Sequence, residues 1–206
     1  MGISDRKERE RLEMRELILT EATRMFAKVG YEETSIRAIA KKIEYSPATI
    51  YNYFTDKDDL LMAVQEVAFN RLLVEFAKTV SIESPLDRLY AIGRIYVEFA
   101  LANPEHYQLM FILAAPMKFI DHGVKWEMGN HAFGFLRQTV QECMDKGLIK
   151  HYSDSRLASV MLWGQVHGLV SLHNCHRLSI LQMQESELHD TIFASLQTLL
   201  RMLSAG

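Results

Sequence analysis

The chain has 206 residues, 49% hydrophobic and 24% charged, with a formal net charge of −3, an ordinary globular balance that does not by itself advertise nucleic-acid binding. No apolar run reaches the ~18–20 residues of a membrane helix, the charged start MGISDRKERERLEMRE lacks the apolar core of a secretory signal, and Arg6 breaks the myristoylation pattern. Two cysteines without metal-type spacing, Cys143 and Cys175, make a reduced cytoplasmic setting the expectation.

Residues 1–55 carry 10 Lys+Arg against 9 Asp+Glu and the remainder 13 against 17, so the basic end is the N-terminal one. No segment alternates at period two between turn signals, which argues against strands. Three of the four prolines follow a capping residue, in Ser46-Pro47, Ser84-Pro85 and Asn103-Pro104. Proline suits the first helical position, where its missing N–H would be unpaired anyway. The expected helices run over about 8–29 (ending at Gly30), 35–42 (Thr34 as N-cap), 47–53, 57–79 (capped by Thr55 or Asp56), 85–102, 104–113, 123–146 (ending at Gly147), 154–176 and 185–203. The first would bury Ile18, Ala22, Met25, Phe26 and Val29, which recur at helical spacing. APMKFIDHG, before the seventh helix, reads as a loop. The fold class is all-α, with about nine helices.

Helices two and three have the layout of a helix-turn-helix, in which a second helix must be exposed enough to enter the major groove. Ile36, Ile39, Ala40 and Ile43 would bury the first of the pair, and Ile50 and Phe54 the second. That leaves Ala48, Thr49, Tyr51, Asn52 and Tyr53 facing outward, an unusual surface for a helix that only packs. The turn carries Glu44 where a left-handed residue, commonly glycine, is wanted. Either Glu44 sits at positive φ or the turn differs locally, and in both cases its side chain is expected in solvent.

FAKVGYEETSIRAIAKKIEYSPATIYNYFTDKDDLLMAV resembles the DNA-binding head of the tetracycline-repressor (TetR) family. Phe26, Gly30-Tyr31, Thr34-Ser35, Ile39-Ala40, Ser46, Thr49-Ile50-Tyr51, Tyr53-Phe54, Lys57 and Leu60-Leu61 carry the resemblance over about forty ungapped residues. It implies a head at 1–55, a connecting helix at 56–79 that acts as a lever, and a ligand-binding and dimerisation body at 80–206. It also implies a DNA-binding set of Thr34, Arg37, Ser46, Ala48, Thr49, Tyr51, Asn52, Tyr53 and Lys57. Within that set Arg37 would grip guanine, Thr49 and Asn52 would touch bases, and Tyr51 would pack on a thymine methyl or a phosphate. Tyr53 and Lys57 would contact phosphates, and Thr34 would donate to one while capping its helix.

In the body, Trp163, His167 and Gly168 resemble a TetR subclass marked by a Trp-His-Gly pattern. Tyr96, Phe99, Tyr107, Met110, Phe111, Trp126, Phe133, Met161 and Gln165 are candidates to line a site for a small apolar effector, helped by flexible methionines such as Met117. Leu157, Met161, Gly164 and Gly168 on the eighth helix, with Leu188, Ile192, Leu196 and Leu199 on the ninth, are candidates for a two-fold dimer interface. The resemblance thus implies a ligand-responsive transcriptional regulator, most simply a repressor, whose partners are a palindromic DNA operator, a small effector and a second copy of itself. No membrane contact, cofactor, metal or enzymatic activity is expected, since no nucleophile elbow, phosphate loop or HExxH occurs. A metal- or redox-responsive sensor is the alternative raised by HNCH at 173–176, although Cys175 would point away from His173 and His176 and no fourth ligand is evident. A helical protein-interaction module without DNA binding is a further alternative.

Overall fold

A computed structural model describes residues 3–114, 127–150, 152 and 154–204. Trp126 and Met117 lie outside the described residues. All regular structure among the described residues is helical: α1 (Ile3–Lys28), α2 (Ile36–Lys42), α3 (Pro47–Tyr51), α4 (Lys57–Ala77), α5 (Pro85–Ala102), α6 (Pro104–Tyr107), α7 (Glu127–Asp145), α8 (Ser155–Asn174) and α9 (Glu185–Ser204). Short 3₁₀ turns follow α4 (Lys78–Ser81) and precede α9 (Arg177–Leu181), and a π-turn (Gln108–Ile112) follows α6. No helix among the described residues is long and apolar enough to cross a membrane.

The starts of these helices follow from their caps. Ser46 and Ser84 accept from the N–H groups of Thr49 and Asp87, each with proline at the next position. Asp56 Oδ1 accepts from Asp59 N at 2.8 Å while Asp59 Oδ2 accepts from Thr55 N at 2.7 Å, a reciprocal cap at the start of α4. The cap of α2 is Ser35, whose Oγ accepts from Ala38 N at 3.2 Å, and not Thr34. Thr34 is buried instead and donates to Gly30 O at 2.7 Å, which ties α2 to the end of α1.

The chain divides into two compact units. The first combines residues 1–68 with the segment that starts at Glu105, and the second combines 69–104 with 126–206. The division falls inside α4, the expected connecting helix, and the segment from Glu105 groups with the first unit. In the first unit Ile18, Ala22, Phe26, Ile39, Ile50, Phe54, Leu60 and Leu61 form one core, and Leu109 belongs to it. Gln65, itself buried, donates through Nε2 to Leu109 O at 2.6 Å. Val29 is 54% exposed, against the expectation, because α1 stops at Lys28 and the chain turns at Gly30 (φ 98°).

In the second unit α5 packs against α7, α8 and α9. Gly93 of α5 allows the closest approach, since a Cβ there would lie 2.8 Å from Leu196 Cδ2. Arg88 clamps the same helix. Its Nη1 meets Glu142 Oε2 at 2.6 Å, while Nε and Nη2 donate to Ile82 O at 3.1 and 2.9 Å. The guanidinium fork suits this three-way tie, because a single planar group reaches a carboxylate and a loop carbonyl together.

Candidate nucleic-acid interface and ligand cluster

The turn between α2 and α3 is built as a Schellman motif. Tyr45 N donates to Ala40 O at 2.9 Å and Glu44 N to Lys41 O at 3.4 Å, with Glu44 at φ 62° between them. Glu44 is exposed, as its position in the sequence suggests. Beyond it Ser46 Oγ lies 3.1 Å from Thr49 Oγ1, so two hydroxyls expected to face DNA also lock the first turn of α3.

The buried residues of the motif are those the spacing requires: Ile36, Ile39, Ala40 and Ile43 on α2, with Ile50 and Phe54 beneath α3. On the outer side Arg37, Ser46, Ala48, Tyr51 and Asn52 are exposed, while Thr49 and Tyr53 are half-buried. Lys41 and Lys42 are also exposed, so cations outnumber Glu44 on this surface. Tyr45, 46% exposed in the turn, is an aromatic that sequence reasoning did not single out. Its only signal was its place beside Glu44, where a Schellman motif commonly folds the residue inward.

Two expected phosphate ligands have other engagements. Thr34 is 1% exposed and its hydroxyl hydrogen is spent on backbone carbonyls, so it cannot reach a phosphate. Lys57 donates through Nζ to Tyr31 O at 2.9 Å and Glu32 O at 3.3 Å, and the ammonium sits 4.2 Å from the centre of the Tyr31 ring. It fixes the turn after α1 from the first position of α4.

The candidate ligand residues do not all come together. Tyr107 and Met110 are buried in the first unit, where Phe111 packs on Tyr107 at 5.5 Å between ring centres. Tyr96, Phe99, Phe133, Met161 and Gln165 belong to the second unit. There Trp163 Nε1 donates to Tyr96 Oη at 3.3 Å, and Tyr96 Oη lies 2.9 Å from His167 Nδ1. Phe133 and His167 flank Trp163, with ring centres 6.1 and 5.7 Å away. Burial pushes the His167 pKa below its ordinary value, so the ring is neutral near pH 7. A neutral ring whose Nδ1 accepts from the Tyr96 hydroxyl satisfies all three groups at once. Sequence reasoning held Trp163 only as a subclass marker, since nothing in one chain's sequence says that it faces Tyr96 across 67 residues.

Met161 and Gln165 are exposed on the outer side of α8, with Leu157 (49% exposed), Val160 and Gly164. The α9 stripe behaves otherwise. Leu188, Ile192 and Leu196 are buried within their own chain, which removes these three from the expected dimer interface, whereas Leu199 is half-buried. Leu196 fills the space opposite Gly93, so the stripe is the inner face of α9. The HNCH cluster is dispersed as well: Cys175 is exposed after the end of α8 and His176 is left-handed at φ 55°. Cys143 is fully buried and its thiol is pushed up to about 11 by that burial, so it stays protonated and unreactive at neutral pH.

Residues 18–64 match the family model described as "Bacterial regulatory proteins, tetR family", and residues 89–200 match "Tetracyclin repressor-like, C-terminal domain". The chain is 33% identical over 78 residues to the HTH-type transcriptional regulator HbdR of Aromatoleum sp. (strain CIB), a match that covers 37% of this chain and 34% of that protein. It is 23% identical over 189 residues to the fatty acid metabolism regulator protein of Bacillus subtilis (strain 168), covering 84% of this chain and 94% of the relative. The fold is similar to that of the fatty acid degradation regulator FadR from Bacillus halodurans, with a TM-score of 0.71 at 18% identity over 88% of this chain and 93% of the other. The head, its outward α3 face and both family matches lead to one conclusion: the chain belongs to the TetR family and is a ligand-responsive, DNA-binding transcriptional regulator.

Proposed function

We propose that the protein is a repressor that binds a palindromic operator as a two-fold dimer and is released by a small, mainly apolar effector. The observation that carries the DNA half is the outward surface of α3. Tyr51 and Asn52 are exposed while Ile50 between them and the core is fully buried. A helix needing only to pack gains nothing from that arrangement. Thr49 and Asn52 then contact base edges, with small Ala48 permitting close approach, and Arg37 reads guanine from α2. Ser46 and Tyr53 hold the backbone, and Tyr51 packs on a thymine methyl or a phosphate.

The exposed apolar stripe on α8 supports dimerisation. Leu157, Val160 and Met161 are about half exposed, and among the described residues nothing lies within 4 Å of where a Cβ would be at Gly164 and Gly168. A helix from a second copy can approach such a face closely. Each head then meets an equivalent half-site. The effector reading rests on Tyr96, Phe133, Trp163 and His167, an aromatic group with one polar corner. Two similar proteins carry fatty acid regulation in their names, which favours an aliphatic chain over an aromatic effector. A ligand that prefers one conformation of the dimer draws the population away from the DNA-competent one.

Operator fragments selected from a random pool provide the test. Affinity should fall steeply with salt, because phosphate contacts release counterions. Tyr51→Ala and Asn52→Ala should each weaken binding without changing the helical content. If both variants bind as the parent does, or the protein sediments as a monomer at micromolar concentration, the reading is wrong. Release of the fragment by fatty acyl compounds of graded length tests the effector class separately.

A further inference from the structure

We infer that His173, Glu185 and His189 form a binding site for a zinc-type divalent ion at the junction of α8 and α9. His173 lies in the last turn of α8, and Glu185 and His189 stand four residues apart at the start of α9, on one helical face. Their donor atoms all lie within 4.8 Å of one another. One carboxylate oxygen, Glu185 Oε1, faces both imidazoles: His173 Nε2 at 3.2 Å and His189 Nε2 at 3.4 Å.

The 3.2 Å contact lies at the long end of a neutral N–H···O hydrogen bond, and both contacts lie near the spacing of ligands around a single ion. A charge-assisted hydrogen bond between imidazolium and carboxylate is about 2.7–2.9 Å long, shorter than either contact. An ion bound tetrahedrally through bonds of about 2.05 Å keeps its donor atoms about 3.3–3.4 Å apart, close to both. The two rings are already neighbours, with centres 5.2 Å apart, so a modest ring rotation closes the third edge. Two imidazoles and one carboxylate suit zinc, nickel, cobalt or copper and disfavour magnesium and calcium, which want oxygen ligands. The fourth position is open to water. His173 is largely shielded, with a side chain 13% exposed, whereas Glu185 is 70% exposed, so the site has one anchored ligand and an open approach.

The consequence is mechanical. The ion ties the end of α8 to the start of α9 across the intervening link, where His176 and Gln182 are both held at positive φ. A bound ion therefore holds in place a connection that carries strain at two points. The site shares no residue with the Tyr96–Trp163–His167 group and does not depend on the identity of the organic effector.

The test uses the full chain, stripped with a chelator and titrated with Zn2+ by calorimetry and with Co2+ by visible absorption. One ion per chain is expected, with the intense absorption of tetrahedral cobalt and displacement by zinc. Glu185→Gln and His189→Gln should each weaken binding by more than about tenfold, the smaller of the losses that follow even from removing an outer partner of a metal ligand. Zinc should raise the melting temperature of the parent and leave that of Glu185→Gln unmoved. Cys175→Ser and His176→Gln should bind as the parent does. Absence of stoichiometric binding overturns the inference, as does binding that survives Glu185→Gln and His189→Gln or is lost with Cys175→Ser.

Discussion

Replacing Glu44 by glycine should stabilise the protein and tighten its grip on DNA, and the two effects separate cleanly. Glu44 occupies the left-handed position of a Schellman motif at φ 62°. A non-glycine residue there costs roughly 1–2 kcal/mol in Cβ crowding. Glycine returns about 0.5–1 kcal/mol through the greater freedom of the unfolded chain. The net gain is about 0.5–1 kcal/mol, or ~1–4 °C in melting temperature for a chain of this size. The protein contains its own reference. At the end of α7, Leu148 N donates to Cys143 O at 2.8 Å and Gly147 N to Met144 O at 2.9 Å, the same motif with glycine at φ 66°. Among the described residues no atom lies within 4 Å of a Cβ built at Gly147, so Gly147→Ala should lose about what Glu44→Gly gains. Glu44→Gln keeps the backbone cost and removes the charge. It should leave stability unchanged while matching the glycine variant in operator affinity, since a carboxylate beside phosphates repels them. Calorimetric melting of the three variants, with operator binding by fluorescence anisotropy, reads both effects. A glycine variant no more stable than the glutamine one would refute the backbone argument and mean that Glu44 makes a contact of its own.

Among the described residues the hydroxyl of Tyr31 is buried without a hydrogen-bond partner, which costs about 1–3 kcal/mol, whereas the cation–π contact needs only the ring. Tyr31→Phe should therefore raise stability by about 1 kcal/mol, and a loss in chemical denaturation would show that the hydroxyl is satisfied. Gly93→Ala should destabilise by about 1 kcal/mol net, the overpacking against Leu196 outweighing the gain in helix propensity. In a Leu196→Ala background the sign should reverse, and an unchanged sign in the double-mutant cycle would rule out the close approach. His167 binds a proton less readily folded than unfolded, so its stabilising contribution is full above its ordinary value of about 6.5 and is lost as pH falls through the lowered folded value. The melting temperature should drop between pH 7 and 5.5, with a shallower drop for His167→Gln; equal slopes would mean that the ring is accessible in the folded state.

The helices were readable because their punctuation is local. Ser46-Pro47, Ser84-Pro85, Gly30 and Gly147 act through their immediate neighbours, and each does in the structure what its chemistry suggests. Thr34 and Ser35 show the limit of such reading. Both are competent caps, and the choice turns on which hydroxyl is buried against the carbonyl of Gly30, a fact of packing. The α9 stripe failed for a related reason. A 3.6-residue period says that Leu188, Ile192 and Leu196 are covered, but not whether the cover is α5 of the same chain or a second copy. The pairing of His173 with Glu185 and His189 was equally hidden, because the link between α8 and α9 brings together residues that no motif spacing connects.

The membership of Leu109 in the first unit has a practical consequence for anyone who treats the DNA-binding head as a portable part. A fragment ending near Ala68 would keep every residue proposed to face DNA, yet it would strip Leu109 from the core and Leu109 O from the buried amide of Gln65. An exposed apolar gap and an orphaned amide would follow, at a cost of several kcal/mol by the usual magnitudes of cavities and unpaired polar groups. Chimeras made by joining this head to another body should therefore carry the segment around Leu109 with the head, or replace Gln65 and its apolar neighbours to suit the new body. The unit that is inherited together is defined by contacts and not by the order of the residues.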